Sequence, residues 1–93
     1  MSAFKIKDPD SRLDYTVDWT TWLDGDSISS VTWIAAPGIT VGTGTYAPTF
    51  TGTSATIWLL GGTVHTKYDV TCRITTALGR IDDYTFTIAV EPT

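Results

Sequence analysis

The chain has almost none of the residues on which catalysis and covalent bracing depend. It holds one cysteine, Cys72, and one histidine, His65. A lone cysteine excludes an internal disulfide, and the two residues together are a thin inventory for a metal centre. Basic side chains are scarce as well: six Lys and Arg stand against ten Asp and Glu, for a net charge of −4. Lys5, Lys7, Arg12, Lys67, Arg73 and Arg80 are scattered along the chain, without the electrostatic footprint of a nucleic-acid binder. No apolar run approaches the roughly 20 residues of a membrane span. Met1-Ser2-Ala3 leads directly into Phe4 and Lys5 with no apolar signal-peptide core, so synthesis and folding are expected in a cytoplasm. No segment carries a 3.6-residue apolar period, and there is no internal repeat, low-complexity tract or linker. The 93 residues are therefore expected to form a single domain, residues 1–93. A chain this short buries only about two-thirds of its unfolded surface. With disulfides excluded and no cofactor expected, assembly into something larger is the remaining source of stability.

What the chain does have is β-forming residues. Nineteen residues are Thr, four are Trp and four are Tyr, a composition that disfavours helix and favours strands. In Tyr68–Thr75 every second residue is apolar, and Tyr84, Phe86, Ile88 and Val90 alternate with Thr85, Thr87 and Ala89. Period-two alternation marks strands with one buried face, and the short turn Ala77-Leu78-Gly79-Arg80 joins these two as a hairpin. Upstream, Phe4–Lys7 reads as an edge strand, and Arg12–Trp19 as a strand with Leu13, Tyr15, Val17 and Trp19 on one side. Thr20–Ser27 reads as a connection that tucks Trp22 and Leu23 over the end of the core. Ile28–Ile34 is a strand ended by Pro37-Gly38. Ile39–Thr45 reads as a glycine-interrupted edge strand, and Tyr46–Gly52 as loop. Thr53–Leu60 is a strand with Ala55, Ile57 and Leu59 inward and Thr56 and Trp58 outward, or the reverse. About seven short strands at this spacing predict an all-β chain, a single immunoglobulin-like β-sandwich.

Candidate sites are few. Cys72 and His65 lie seven residues apart, and Cys72 falls on the inward register, where a thiol packs as a small hydrophobe rather than acting as a nucleophile. Asp24-Gly25-Asp26 starts like a calcium loop, and Asp8, Asp10, Asp82 and Asp83 add oxygen ligands, but the later ligand positions and distal Glu are missing. The same tripeptide is ordinary turn chemistry, so no metal site is assigned. Gly42-x-Gly44 lacks the third glycine and the helix of a phosphate loop. Tyr68, near the start of its strand, is placed for a tyrosine corner, although it precedes Cys72 by four residues rather than two. Trp19 and Trp33 read as core. Trp22 and Trp58 are candidates for an exposed contact with a protein or a stacking sugar.

The segments Leu13-Asp14-Tyr15-Thr16-Val17-Asp18-Trp19, Trp22-Leu23-Asp24-Gly25-Asp26-Ser27-Ile28 and Thr32-Trp33, with Tyr68–Thr76 and Gly79–Ile88, resemble small proteins encoded among the structural genes of tailed bacteriophages. Those proteins are described as fiber–tail adaptors or head-associated virion proteins. The resemblance covers roughly Lys7 to Val90 and brings no catalytic residue with it. It implies a non-enzymatic virion component, assembled in the bacterial host cytoplasm. Its expected partners are other phage structural proteins of the tail, neck, fiber or capsid, met in multiple copies per particle. Nucleic acid and membrane are not expected partners. Two other readings stay open: a capsid decoration protein, and a glycan-binding module for host adsorption. Candidate protein contacts are Trp22, Asp24, Asp26, Ile39, Val41, Trp58, Asp82 and Asp83, with Ile39–Thr45 as an edge for strand addition.

Overall fold

Alternating threonine-rich segments give a molecule that is 60% strand and 8% helix. The computed structural model describes residues 2–92. In chain order the elements are β1 (Ser2–Lys7), β2 (Arg12–Asp18), α1 (Thr20–Leu23), β3 (Ile28–Ala35), β4 (Ile39–Val41), a 3-10 turn (Gly44–Tyr46), β5 (Thr49–Phe50), β6 (Ser54–Gly61), β7 (Thr66–Thr76) and β8 (Ile81–Val90). The first sheet has the order β1-β8-β7-β3, with β1 parallel to β8 and the other pairs antiparallel. The second has the order β2-β6-β4 and is antiparallel, with β5 also pairing with β6.

The inward registers of the two sheets make the core. Tyr68, Val70, Cys72 and Ile74 of β7 and Phe86, Ile88 and Val90 of β8 face Ala55, Ile57 and Leu59 of β6, all buried. Two inward registers of β-branched and aromatic residues stack as in any sandwich. The open choice for β6 is resolved by burial: Ala55, Ile57 and Leu59 are fully enclosed, which turns Trp58 outward.

Several boundaries differ from the sequence reading. Among the described residues strands number eight, because Thr49-Phe50, expected as loop, pairs with Thr56 and Ala55. The expected strand Ile39–Thr45 stops at Val41 and gives way to the 3-10 turn. Gly42 is the reason: a β-carbon there would lie 2.4 Å from the Tyr46 carbonyl oxygen and 3.0 Å from Trp58 Cβ, so the chain can fold back onto Trp58 only through glycine. Thr20–Leu23 is one helical turn, with Asp18 accepting hydrogen bonds from the Thr20 amide and hydroxyl. It buries Leu23 and rests Trp22 edge-on against Trp19 at 5.4 Å, as the sequence suggested.

Two cross-ties close the end of the sandwich where β6 turns into β7. Tyr68 Oη accepts a hydrogen bond from the Thr63 amide at 2.8 Å, which ties the β6–β7 connection to the strand that follows, in the manner of a tyrosine corner. Gly62, at φ +97°, lies under this ring, and a β-carbon there would lie 2.6 Å from Val90 Cγ2. Beside it Lys7, completely buried, donates from Nζ to the carbonyls of Asp8 and Gly61, both at 2.8 Å. Burial lowers the Lys7 pKa, against the opposing pull of Asp8 and Asp10. This lysine joins β1 of the first sheet to β6 of the second, through a carbonyl of the β1–β2 turn and one at the end of β6.

Candidate interaction surfaces

Chemistry at Cys72 is closed off by its position. The thiol is fully buried and pushed up to about 11, chiefly by burial, so it stays protonated at neutral pH. His65 stands before β7, exposed and in the left-handed region at φ 64°, and pairs through Nδ1 with Glu91 at 2.9 Å. Seven residues of nearly extended chain separate it from Cys72, roughly 20 Å.

The structure brings Trp22 and Asp26 together with the β7–β8 turn. Arg80 does this: its Nε donates to Asp26 Oδ2 at 3.1 Å, its Nη2 donates to the Leu23 carbonyl at 2.7 Å, and its guanidinium sits 4.4 Å above the Trp22 ring. The Asp26 side chain is only 2% exposed. Hydrogen bonding by the Thr76 hydroxyl, with the Ser27 amide and Arg80, holds its carboxyl below the usual range. Asp26 thus serves the internal latch, whereas Asp24, in a left-handed conformation at the end of α1, stays exposed. Trp22 is half-buried and carries the Arg80 cation on its ring.

Asp83 is likewise occupied within the molecule. Arg73 grips it with two hydrogen bonds, at 2.8 and 2.9 Å, and this pairing holds the Asp83 carboxyl down. Asp82, one residue before it, is half-buried. Of the proposed edge, Ile39 is a core residue at 7% exposure and Val41 is half-buried against the core. β4 does lie at the edge of its sheet, but it offers only three residues, and the next amide, Gly42, already donates to the Trp58 carbonyl at 2.8 Å.

Trp58 lies elsewhere, on the outer face of the second sheet. Register aligns Arg12 with Leu60, Asp14 with Trp58 and Thr16 with Thr56 on that face. The 3-10 turn lays Tyr46 edge-on to Trp58, centroids 5.0 Å apart, and the Arg12 guanidinium sits 3.6 Å above the Tyr46 ring. An open groove of about 700 Å³ runs past Arg12, Tyr46, Trp58 and Leu60 to the β1–β2 turn. Sequence reading missed Arg12 and Tyr46. The alternation in β2 places Arg12 outward with Asp14, a usable signal; nothing in the sequence shows Tyr46 arriving beneath it.

With this geometry in place, the chain can be set beside known proteins. The family model described as Gp77, podophage GP4 fiber-tail adaptor protein gp77, matches residues 7–89. No curated protein matches the chain.

Proposed function

This chain belongs to the podophage GP4 fiber-tail adaptor family, and from that premise we propose that it is a non-enzymatic, immunoglobulin-like adaptor joining tail or neck components to fibers through protein–protein contacts. The observation that carries the reading is the family match over residues 7–89, which spans every strand from β2 to nearly the end of β8. The strand partition supports the immunoglobulin-like description. β3, β7 and β8 share one sheet while β2, β6 and β4 share the other, as strands C, F, G and B, E, D do in a constant-type domain, with β1 moved beside β8. Tyr68 and its hydrogen bond to the Thr63 amide belong to the same pattern.

An adaptor needs affinity without chemistry. Repeated copies around a closed ring convert modest contacts into stable attachment by raising the effective concentration of each neighbour. The partners are then other virion proteins of the tail, neck or fiber, and the site of assembly is the host cytoplasm. A capsid decoration protein of the same fold is the rival reading. Copy number separates the two, because decoration proteins coat the shell in tens to hundreds of copies and an adaptor is present in about a dozen or fewer. Quantitative mass spectrometry of purified particles, with and without tails, is the test. Loss with the tails at low copy number is the expected result. High-copy retention on tailless heads would transfer the chain to the shell, and absence from both would sink the virion reading.

A further inference from the structure

Resting on that adaptor reading, we propose that the outer face of the second sheet docks a carboxylate-bearing segment of a partner virion protein, with the carboxylate held by Arg12 and a neighbouring apolar side chain lying in the groove beside Trp58 and Leu60.

The three arginines differ in one respect. Arg73 is engaged by Asp83, and Arg80 by Asp26 and the Leu23 carbonyl. Arg12 is exposed and, among the described residues, its guanidinium donates no hydrogen bond and pairs with no carboxylate. It is nevertheless held in place, 3.6 Å above the Tyr46 ring. Tyr46 is in turn fixed by Trp58 and by the close approach that Gly42 permits. A guanidinium immobilised by stacking, with its donor fork unused, has already lost much of the rotamer entropy that binding would otherwise cost. Its planar fork matches a carboxylate with two parallel hydrogen bonds.

The surroundings narrow the partner. The groove of about 700 Å³ places Trp58 and Leu60 next to Arg12, and Trp, Tyr and Arg are the residue types that dominate binding energy at protein interfaces. Asp10 lines the same groove and Asp14 stands across from Trp58. They favour a segment with one carboxylate at Arg12 over a run of acidic residues, whose further charges they would repel. A neutral sugar finds no free platform at Tyr46, since Arg12 covers that ring.

The test uses phage particles assembled with variant chains. Zero-length carbodiimide coupling of particles carrying Arg12→Lys is expected to give an amide between position 12 and an Asp or Glu of a different virion protein. Arg12→Ala is expected to lower the copies retained per particle by about tenfold or more, the effect of losing a charge-assisted pair, while its unfolding midpoint matches the unsubstituted chain. Arg73→Ala, on the opposite face, is expected to be retained normally. Full retention of Arg12→Ala would overturn the inference, as would coupling only to a second copy or only to Asp10 or Asp14 of the same chain. So would release of the chain from particles by an acidic sugar such as sialyllactose. Absence of the unsubstituted chain from wild-type particles would remove the adaptor reading itself, and this inference with it. Its presence together with full retention of Arg12→Ala would remove the inference alone.

Discussion

The two outer faces of the sandwich are built from similar strands and end in opposite states. On the first sheet, three consecutive outward rungs between β7 and β8 are closed by their own side chains. Asp69 accepts from Thr87 at 2.9 Å, Thr71 and Thr85 share a hydrogen bond at 2.8 Å, and Arg73 chelates Asp83. The next rung places Lys67 over the Phe4 ring at 5.6 Å. The exposed apolar residues of this face are spread out: Phe4 and Ile6 on β1 and Ile34 on β3 lie at opposite edges of the sheet, three strand spacings or roughly 14 Å apart, and Ile81 stands at the start of β8. The second sheet begins the same way, with Thr16 bonded to Thr56 at 2.8 Å, and then stops closing. Beyond that rung lie Trp58, Leu60 and an arginine that pairs with no carboxylate among the described residues. Cross-strand pairs that satisfy each other contribute to the sheet itself; groups positioned but unmatched are available to something else. The difference teaches where to look for an interface on a small sandwich: at the face whose donors have been ordered without being paired.

That comparison can be broken at several levels. The largest effect is expected from Ile57→Ala. Ile57 is fully buried beneath both faces, and its truncation should cost about 2–5 kcal/mol, measured by urea denaturation, with both faces lost together. Gly42→Ala is the next. It forces a methyl group against the Tyr46 carbonyl, so about 1–3 kcal/mol of stability should go. Retention in particles should fall with it, because Tyr46 can no longer hold both Trp58 and Arg12. Tyr68→Phe removes the hydroxyl that accepts from the Thr63 amide and should cost about 1 kcal/mol without touching retention, which separates general stability from docking.

Acid sensitivity should follow the carboxylates that are engaged within the molecule. Asp83 and Asp26 both have carboxyl pKa values held below the ordinary range, Asp83 by Arg73 and Asp26 foremost by the Thr76 hydroxyl. Their folded pKa is depressed, so the stability they contribute is full above the unfolded carboxylate value, about 3.9, and is lost as pH falls through the folded value. Thermal unfolding should therefore weaken below about pH 4, and the decline should be shallower in Asp83→Asn. The smallest effect is that of Arg73→Ala at neutral pH. As an exposed ion pair, with side chains 48% and 42% accessible, it is screened by solvent, so the urea unfolding midpoint should stay close to that of the unsubstituted chain.

Much of the first sheet was legible from the chain alone. Tyr68–Thr75 and Tyr84–Val90 alternate without interruption, so period, facing and hairpin all follow from the residues, and Cys72 and Tyr68 fell where expected. The second sheet was less legible for a physical reason. In Ser54–Gly61 both registers contain large apolar residues, Ile57 and Leu59 on one, Trp58 and Leu60 on the other, so alternation alone does not choose a face. The edge at Ile39–Thr45 was read as longer than it is, since a glycine in a strand and a glycine that lets the chain fold back look alike in sequence. Trp22 and Asp26 were read as candidate protein contacts; their neighbour Arg80 comes from the far hairpin and ties them inward. Arg12 and Tyr46 were passed over because their contact depends on that same backbone excursion, across 34 residues of chain.

The most direct test of the account is oxidative footprinting of the chain free in solution and on intact particles, read by mass spectrometry. The account expects protection at Tyr46, Trp58 and Leu60 on the particle, with Ile34, Leu78 and Ile81 as reactive as in the free protein. Protection confined to Phe4, Ile6 and Ile34, with Trp58 unchanged, would place the interface on the other face and contradict it.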